Sequence, residues 1–362
     1  MRHPAALTAV PELTGPGDRL VAMLRTLRED LGVPTQSVVN AIEAAVPAAW
    51  AQLEPAAPPL RVTLDTRSGS LRLELSQLVV VGAALGPEQI SLADAVALEP
   101  DARAGEWLRR PAQLSAAVAA RASRLAQASL KDALRQARRE RLRGAAESGR
   151  GQLVDTLVER FERGTAYLRA GELLAYLPPQ EQIPGGPLVR GRHLKVVLME
   201  SRPEAGEEML QVRASRANGL LLRRLLESEV PELAQGTVVL RAVTREPGER
   251  SKVAVESLRP GIDAKGACIG PKGVRIRAVV AELNGERVDV VEWATDPAQL
   301  VARALAPAQV ERVELDSGTR RARVLVPARQ LSLAIGKEGQ NARLAARLSG
   351  WRIDIRSAEA GP

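Results

Sequence analysis

The sequence predicts a multidomain α+β protein. It has an N-terminal domain of helices and a β-hairpin, then a small five-stranded β-barrel, then two copies of one mixed helix–strand unit. Three observations carry this. A chain of 362 residues exceeds one typical domain. The texture changes near residue 150, from helical stripes to short alternating runs separated by turns. Finally, a glycine-bracketed motif is written twice, as an internal repeat.

Residues 1–17, with Pro4, Pro11, Gly15, Pro16 and Gly17, read as a disordered tail. The N-terminal domain is placed at 18–148. From Asp18 to Leu31 the apolar residues Leu20, Met23, Leu24, Leu27 and Leu31 form a helical stripe, which Gly32 ends. Pro34 to Trp50 is a second helix, with Val38, Ile42, Val46 and Trp50 on one face. Arg61–Asp65 and Leu71–Leu75 alternate apolar and polar, and Ser68-Gly69 joins them as a hairpin. Ala112 to Ala146 is one long helical pattern. Residues 101–150 carry twelve Lys and Arg against five Asp and Glu, a solvated arm or a charged contact surface.

The barrel is placed at 149–216. Its strands are expected at Gln152–Glu159, Thr165–Leu168, Glu172–Tyr176, Leu194–Glu200 and Met209–Ala214, an OB-type arrangement with a Pro-rich linker from Pro178 to Pro187 inside it. Tyr167 and Tyr176 either pack in its core or face a ligand.

The repeat occupies 217–293 and 294–357. Ala267-Cys268-Ile269-Gly270-Pro271-Lys272-Gly273 ends an apolar run in Gly-x-x-Gly, and Leu333-Ala334-Ile335-Gly336-Lys337-Glu338-Gly339 does so again. Gly270 and Gly336 lie 66 residues apart, and Arg277 and Arg343 keep that offset. Gly285 and Gly350, Arg287 and Arg352, and Asp289 and Asp354 follow at 65, so one residue is lost before the exit strand. Each copy reads helix, strand, strand, helix, Gly-x-x-Gly, helix, strand, the order of a type II KH domain. KH modules grip single-stranded nucleic acid.

The chemistry of such a joint is plain. Glycine at both ends lets the chain turn sharply and leaves no side chain between a sugar-phosphate strand and the main chain. The following helix presents free N–H groups and a partial positive charge. The candidate RNA-contacting residues are Ile269, Gly270, Pro271, Lys272, Gly273, Arg275 and Arg277, and Ile335, Gly336, Lys337, Glu338, Gly339 and Arg343. Ile269 and Ile276, and Ile335 and Leu344, are expected to floor the two grooves. Glu338 sets a negative charge where phosphate should pass.

Composition narrows the alternatives. The net charge is +8, suited to a phosphate backbone. Four Trp, two Tyr and one Phe are too few for a module that stacks bases on a sheet of rings. Cys268 is the lone cysteine and His3 and His193 the only histidines, so no disulfide framework, metal site or triad is expected, and no cofactor. There is no Gly-x-x-x-x-Gly-Lys-Ser/Thr loop, so an enzyme is not expected. With no 18-residue apolar run and no signal peptide, a cytoplasmic chain with no membrane contact is expected, acting as a monomer.

At this level of detail the chain resembles the bacterial NusA family of transcription factors. Ala267–Arg275 followed by Gly285-Glu286-Arg287-Val288-Asp289-Val290-Val291-Glu292-Trp293 is similar to that family's first KH domain. Ala334–Leu348 with Ser349-Gly350-Trp351-Arg352-Ile353-Asp354-Ile355 is similar to its second. Pro178–Gly185 and Arg241–Val255 also resemble the family, and the match is strong from about 150 to 356. The resemblance implies an elongation factor that binds RNA polymerase through its N-terminal domain. It also implies a barrel of ribosomal-protein-S-one type and two KH domains that bind nascent single-stranded RNA, with other Nus factors as further partners. Pausing, intrinsic termination and antitermination would be its outputs. No acidic repeats follow Pro362, so the autoinhibitory contacts known in some members are not implied. An OB/KH protein of RNA decay or ribosome assembly is the alternative, and the domain order favours the NusA reading.

Overall fold

The computed structural model describes residues 17–186, 188–202 and 211–358. The expected tail therefore lies outside the described residues, except Gly17, which opens the first helix. The chain divides within one long helix into two compact units, one up to Leu142 and one from Arg143 onward.

The first unit contains α1 (Gly17–Glu29), α2 (Thr35–Leu53), β1 (Leu60–Leu64), β2 (Leu71–Val80), β3 (Gln89–Ser91), α3 (Leu92–Leu98), β4 (Trp107–Pro111) and most of α4 (Ala116–Ser148). The stripe on α2 does what its spacing suggests: Val38, Ile42 and Val46 are buried against Leu24 and Leu27 of α1. Leu60, Val62 and Leu64 of β1 and Val118 and Ala122 of α4 close that core. The Trp50 indole N–H donates to the Pro58 carbonyl at 2.9 Å, tying the end of α2 to the loop that enters β1. The segment from β3 to β4 was not anticipated. A three-residue strand and a seven-residue helix are too short to show a period. Ser91 caps α3 through the Asp94 N–H at 3.1 Å, and β3 and β4 both pair with β2.

The second unit begins with the barrel: β5 (Leu153–Glu162), β6 (Thr165–Ala170), β7 (Leu173–Leu177), β8 (His193–Arg202) and β9 (Gln211–Ser215) close in the order β5-β6-β7-β9-β8. Val158, Leu168, Ala175, Leu177, Val196 and Val212 fill it. The first repeat copy follows as α5 (Gly219–Glu229), α6 (Pro231–Ala234), β10 (Val238–Glu246), β11 (Arg250–Ser257), α7 (Ala264–Ile269), α8 (Val274–Glu282) and β12 (Arg287–Glu292). The second is α9 (Pro297–Ala304), β13 (Arg312–Asp316), β14 (Arg321–Val326), α10 (Leu331–Ile335), α11 (Gln340–Ser349) and β15 (Arg352–Ser357). In each copy the first two strands pair antiparallel and the last joins the middle one in parallel. Asn218, Asp263 and Asp296 cap α5, α7 and α9.

Barrel and copies are fastened to one another. Arg216, 2% exposed at the end of the barrel, donates to the Glu282 carboxylate at 2.8 Å, the Glu282 carbonyl at 2.5 Å and the Lys195 carbonyl at 2.6 Å. Lys252 of β11 is fully buried, its Nζ 2.9 Å from Asp289 and 2.7 Å from the Ala306 carbonyl of the second copy. Burial lowers the pKa of both cations, and their carboxylate partners oppose the shift.

Candidate nucleic-acid interface

The two glycine joints are conformational copies. Gly270 has φ 74°, ψ 169° and Gly336 has φ 77°, ψ 172°, a region that only glycine adopts freely. The third residues, Lys272 (φ 51°, ψ 24°) and Glu338 (φ 53°, ψ 26°), are left-handed despite carrying side chains. Gly273 and Gly339 are left-handed as well. Both joints thus break the chain between two helices and start the next without a side-chain cap. In each, an arginine folds back on the left-handed residue: Arg277 donates to the Lys272 carbonyl at 2.5 Å and Arg343 to the Glu338 carbonyl at 3.0 Å.

Close packing forms the floor of each first glycine. A Cβ on Gly270 would meet the Arg275 side chain at 2.7–3.0 Å, and one on Gly336 would meet Asn341 backbone N and Cβ at 2.8 Å. The sequence suggests that aspartate at these two positions would block phosphate and spare the fold. The structure corrects this: such substitutions distort the joint itself. Gly339 differs, with no atom within 4 Å of its ideal Cβ.

The predicted residues separate into groups. Pro271, Lys272, Arg277, Ile335, Lys337 and Glu338 are exposed on the joints, and Ile269 and Ile276 are half-buried beside the first. Arg275 is turned away: its guanidinium donates to the Ala267 carbonyl at 2.7 Å and pairs with Glu232 at 2.9 Å, bracing α7 against α8. Asn341 stands at the same repeat position and does the same work, its Nδ2 reaching the carbonyls of Leu305, Leu333 and Ala334 at 3.0–3.4 Å. That correspondence was readable from the 66-residue offset. Leu344 is fully buried, and so floors no groove. Cys268 is buried too, and burial pushes its thiol up to about 11, which leaves a small inert apolar side chain.

Arg343 has company that its counterpart lacks. Its Nε and one Nη donate to Glu246, at the end of β10 in the other copy, at 2.7 and 3.2 Å. The Gln340 amide reaches Glu246 at 3.0 Å and Glu249 at 2.6 Å. The Arg343 guanidinium holds the Glu246 carboxyl below the usual range, with the Gln340 amide helping. The hairpin tip is anchored by Glu286, fully buried, which accepts from Arg245 at 2.8 Å, the Gly248 N–H at 2.9 Å and the Ser251 hydroxyl at 2.5 Å.

The barrel contributes a row not foreseen as such. Arg160, Tyr167, Tyr176 and Arg213 are successive cross-strand partners over β5, β6, β7 and β9. Their chain neighbours Ala166, Leu168, Ala175 and Leu177 point inward, so both tyrosines lie on the outer wall rather than in the core. The Arg160 guanidinium sits 4.0 Å from the centre of the Tyr167 ring.

Comparison with known proteins agrees with this layout. Residues 19–143 match the model of the NusA N-terminal domain, 216–293 the NusA-like first KH domain and 297–361 the NusA-like second KH domain. The transcription termination/antitermination protein NusA of Bacillus subtilis is 36% identical over 345 residues, spanning 93% of this chain and 90% of that protein. Its namesake from Thermus thermophilus is 40% identical over 307 residues, 83% of this chain and 78% of that protein. The Mycobacterium tuberculosis H37Rv protein is 36% identical, over 93% and 92% of the two chains. With identity of this order running through helical unit and both glycine-jointed copies alike, the chain belongs to the NusA family of transcription termination/antitermination proteins.

Proposed function

We propose that this protein modulates transcription by holding emerging single-stranded RNA in its two KH grooves while its N-terminal unit docks on RNA polymerase. One observation supports the RNA half most strongly. Two joints with matched backbone angles, each opening a helix N-terminus, present exposed Lys272, Arg277 and Lys337 around bare main chain. That arrangement suits a phosphodiester backbone and no small substrate. The outer row of the barrel adds two aromatic faces flanked by guanidinium groups, a surface on which bases stack. Grooves held in one unit act as a tandem, so each raises the effective concentration of the strand at the other.

Support for the polymerase half comes from Val81, Leu85 and Trp107, large apolar side chains exposed on the segment around β3 and β4. Among the described residues no helix is long and apolar enough to cross a membrane. Pausing, termination and antitermination, with other Nus factors as partners, are the outputs this reading assigns.

The test is binding of single-stranded RNA by the full chain, read by fluorescence anisotropy. Charge reversal at Lys272, Arg277 and Lys337 touches no core and removes three cations. The expected result is an affinity loss of at least about tenfold near 0.1 M salt. An unchanged affinity contradicts the assignment. In parallel, a polymerase pull-down with Leu85→Ser and Trp107→Ala should recover less polymerase than wild type, while RNA binding is retained.

A further inference from the structure

The two joints are electrically unequal, through one residue of the joint itself and through a carboxylate on the neighbouring domain. In the first joint the left-handed position holds Lys272, and exposed Arg277 has its carbonyl contact but no acidic partner among the described residues. In the second joint the same position holds Glu338, and Arg343 is gripped through two nitrogens by Glu246. Arg347 stands 3.7 Å from the same carboxylate. Glu246 is only 18% exposed on a hairpin tip locked by the Arg245–Glu286 pair, whereas Arg343 is 45% exposed.

We propose that Glu246 is a gate on the second glycine joint: it occupies Arg343 in the RNA-free protein, a nucleotide phosphate must displace it, and the chain therefore loads its first joint before its second. This deepens the RNA-binding reading and rests on it.

Carboxylate and phosphate compete for one guanidinium. An arginine fork receives a carboxylate and a phosphate with the same paired geometry. Glu246 is held at contact distance by a rigid hairpin, so it competes for Arg343 without the ordering cost that a free strand bears. Opposing pairs of this exposed kind shift an equilibrium by up to about fivefold. At the first joint no carboxylate among the described residues competes for Arg277, and Lys272 adds attraction where Glu338 repels. A strand that has landed there is tethered, and its raised local concentration then opens the second joint. Opening leaves the domains joined, because Lys252 still reaches the Ala306 carbonyl and the Thr244 hydroxyl still reaches the Leu344 carbonyl.

The alternative role for the pair is a strut that never opens, and the two roles differ in sign. The experiment uses the full chain and a fluorescein-labelled random-sequence single-stranded RNA of about 20 nucleotides, long enough for two grooves of about four nucleotides each. Glu246→Gln keeps the hydrogen-bond shape and removes only the competing charge. Its affinity should rise about two- to fivefold. Arg343→Gln should weaken binding, and adding Glu246→Gln to it should gain clearly less than Glu246→Gln gains alone, because two of the contacts of Glu246 are to that guanidinium and Arg347 stands farther off at 3.7 Å. The gain from Glu246→Gln should persist on a Lys272→Glu background. Weaker or unchanged binding by Glu246→Gln overturns the gate while leaving the RNA-binding reading in place. Wild-type protein that binds no RNA overturns that reading itself.

Discussion

Gly270 and Gly339 tolerate a side chain very differently although each belongs to a Gly-x-x-Gly joint. Gly270 combines a glycine-only conformation with a wall of Arg275 atoms at 2.7–3.0 Å, while Gly339 is left-handed over open space. Gly270→Ala should therefore destabilise by about 3 kcal/mol or more, through strain and overpacking together. Gly339→Ala should cost only the left-handed term, roughly 1–2 kcal/mol. Urea unfolding of the two variants checks the order, and equal losses would contradict it. The same scale explains why Arg275 turns from the joint. Its spacing puts it beside the joint, but a guanidinium has two directions available, and the buried end of α7 offers an unpaired carbonyl at Ala267 that outweighs the solvent side.

At the scale of elements, the hairpin β10–β11 and the barrel wall each carry a prediction. Glu246 is a carboxylate whose pKa is lowered by Arg343, so its contribution to stability is complete above its free value of 4.5 and is lost as pH falls through its lower folded value. Wild-type unfolding midpoints should thus drop between about pH 5 and about pH 3 by more than those of Glu246→Gln. A parallel pair of curves would show that the pair contributes nothing. On the barrel, Tyr167→Ala with Tyr176→Ala should weaken single-stranded RNA binding by about 1–3 kcal/mol for each stacked base. The barrel core stays intact because these side chains face outward, so circular dichroism should be unchanged while anisotropy shifts.

In the second unit as a whole, buried cations bridge the seams between barrel and copies. Arg216 holds a carboxylate and two carbonyls between the barrel and the first copy. Arg216→Ala leaves those acceptors without their donor, and should cost about 3–5 kcal/mol. It should also lower RNA affinity although Arg216 is buried away from solvent, because avidity needs a fixed distance between sites. Equilibrium unfolding and anisotropy on the same variant test both; lost stability with full affinity would mean that each groove works alone.

What the sequence determined by itself was everything local in period. The stripe of α2, the alternation of the barrel strands and each glycine joint follow from spacings within a dozen residues, and those spacings select helix, strand or turn directly. The short β3–α3–β4 segment escaped because it is held by pairing to β2 rather than by its own pattern. Only the tertiary structure decided which charges near the joints are free. Arg343 and Glu246 are 97 residues apart, and Arg216 and Glu282 are 66 apart. Local spacing carries no information about such pairs, since Coulomb attraction and desolvation depend on distance in space, and folding alone sets that distance.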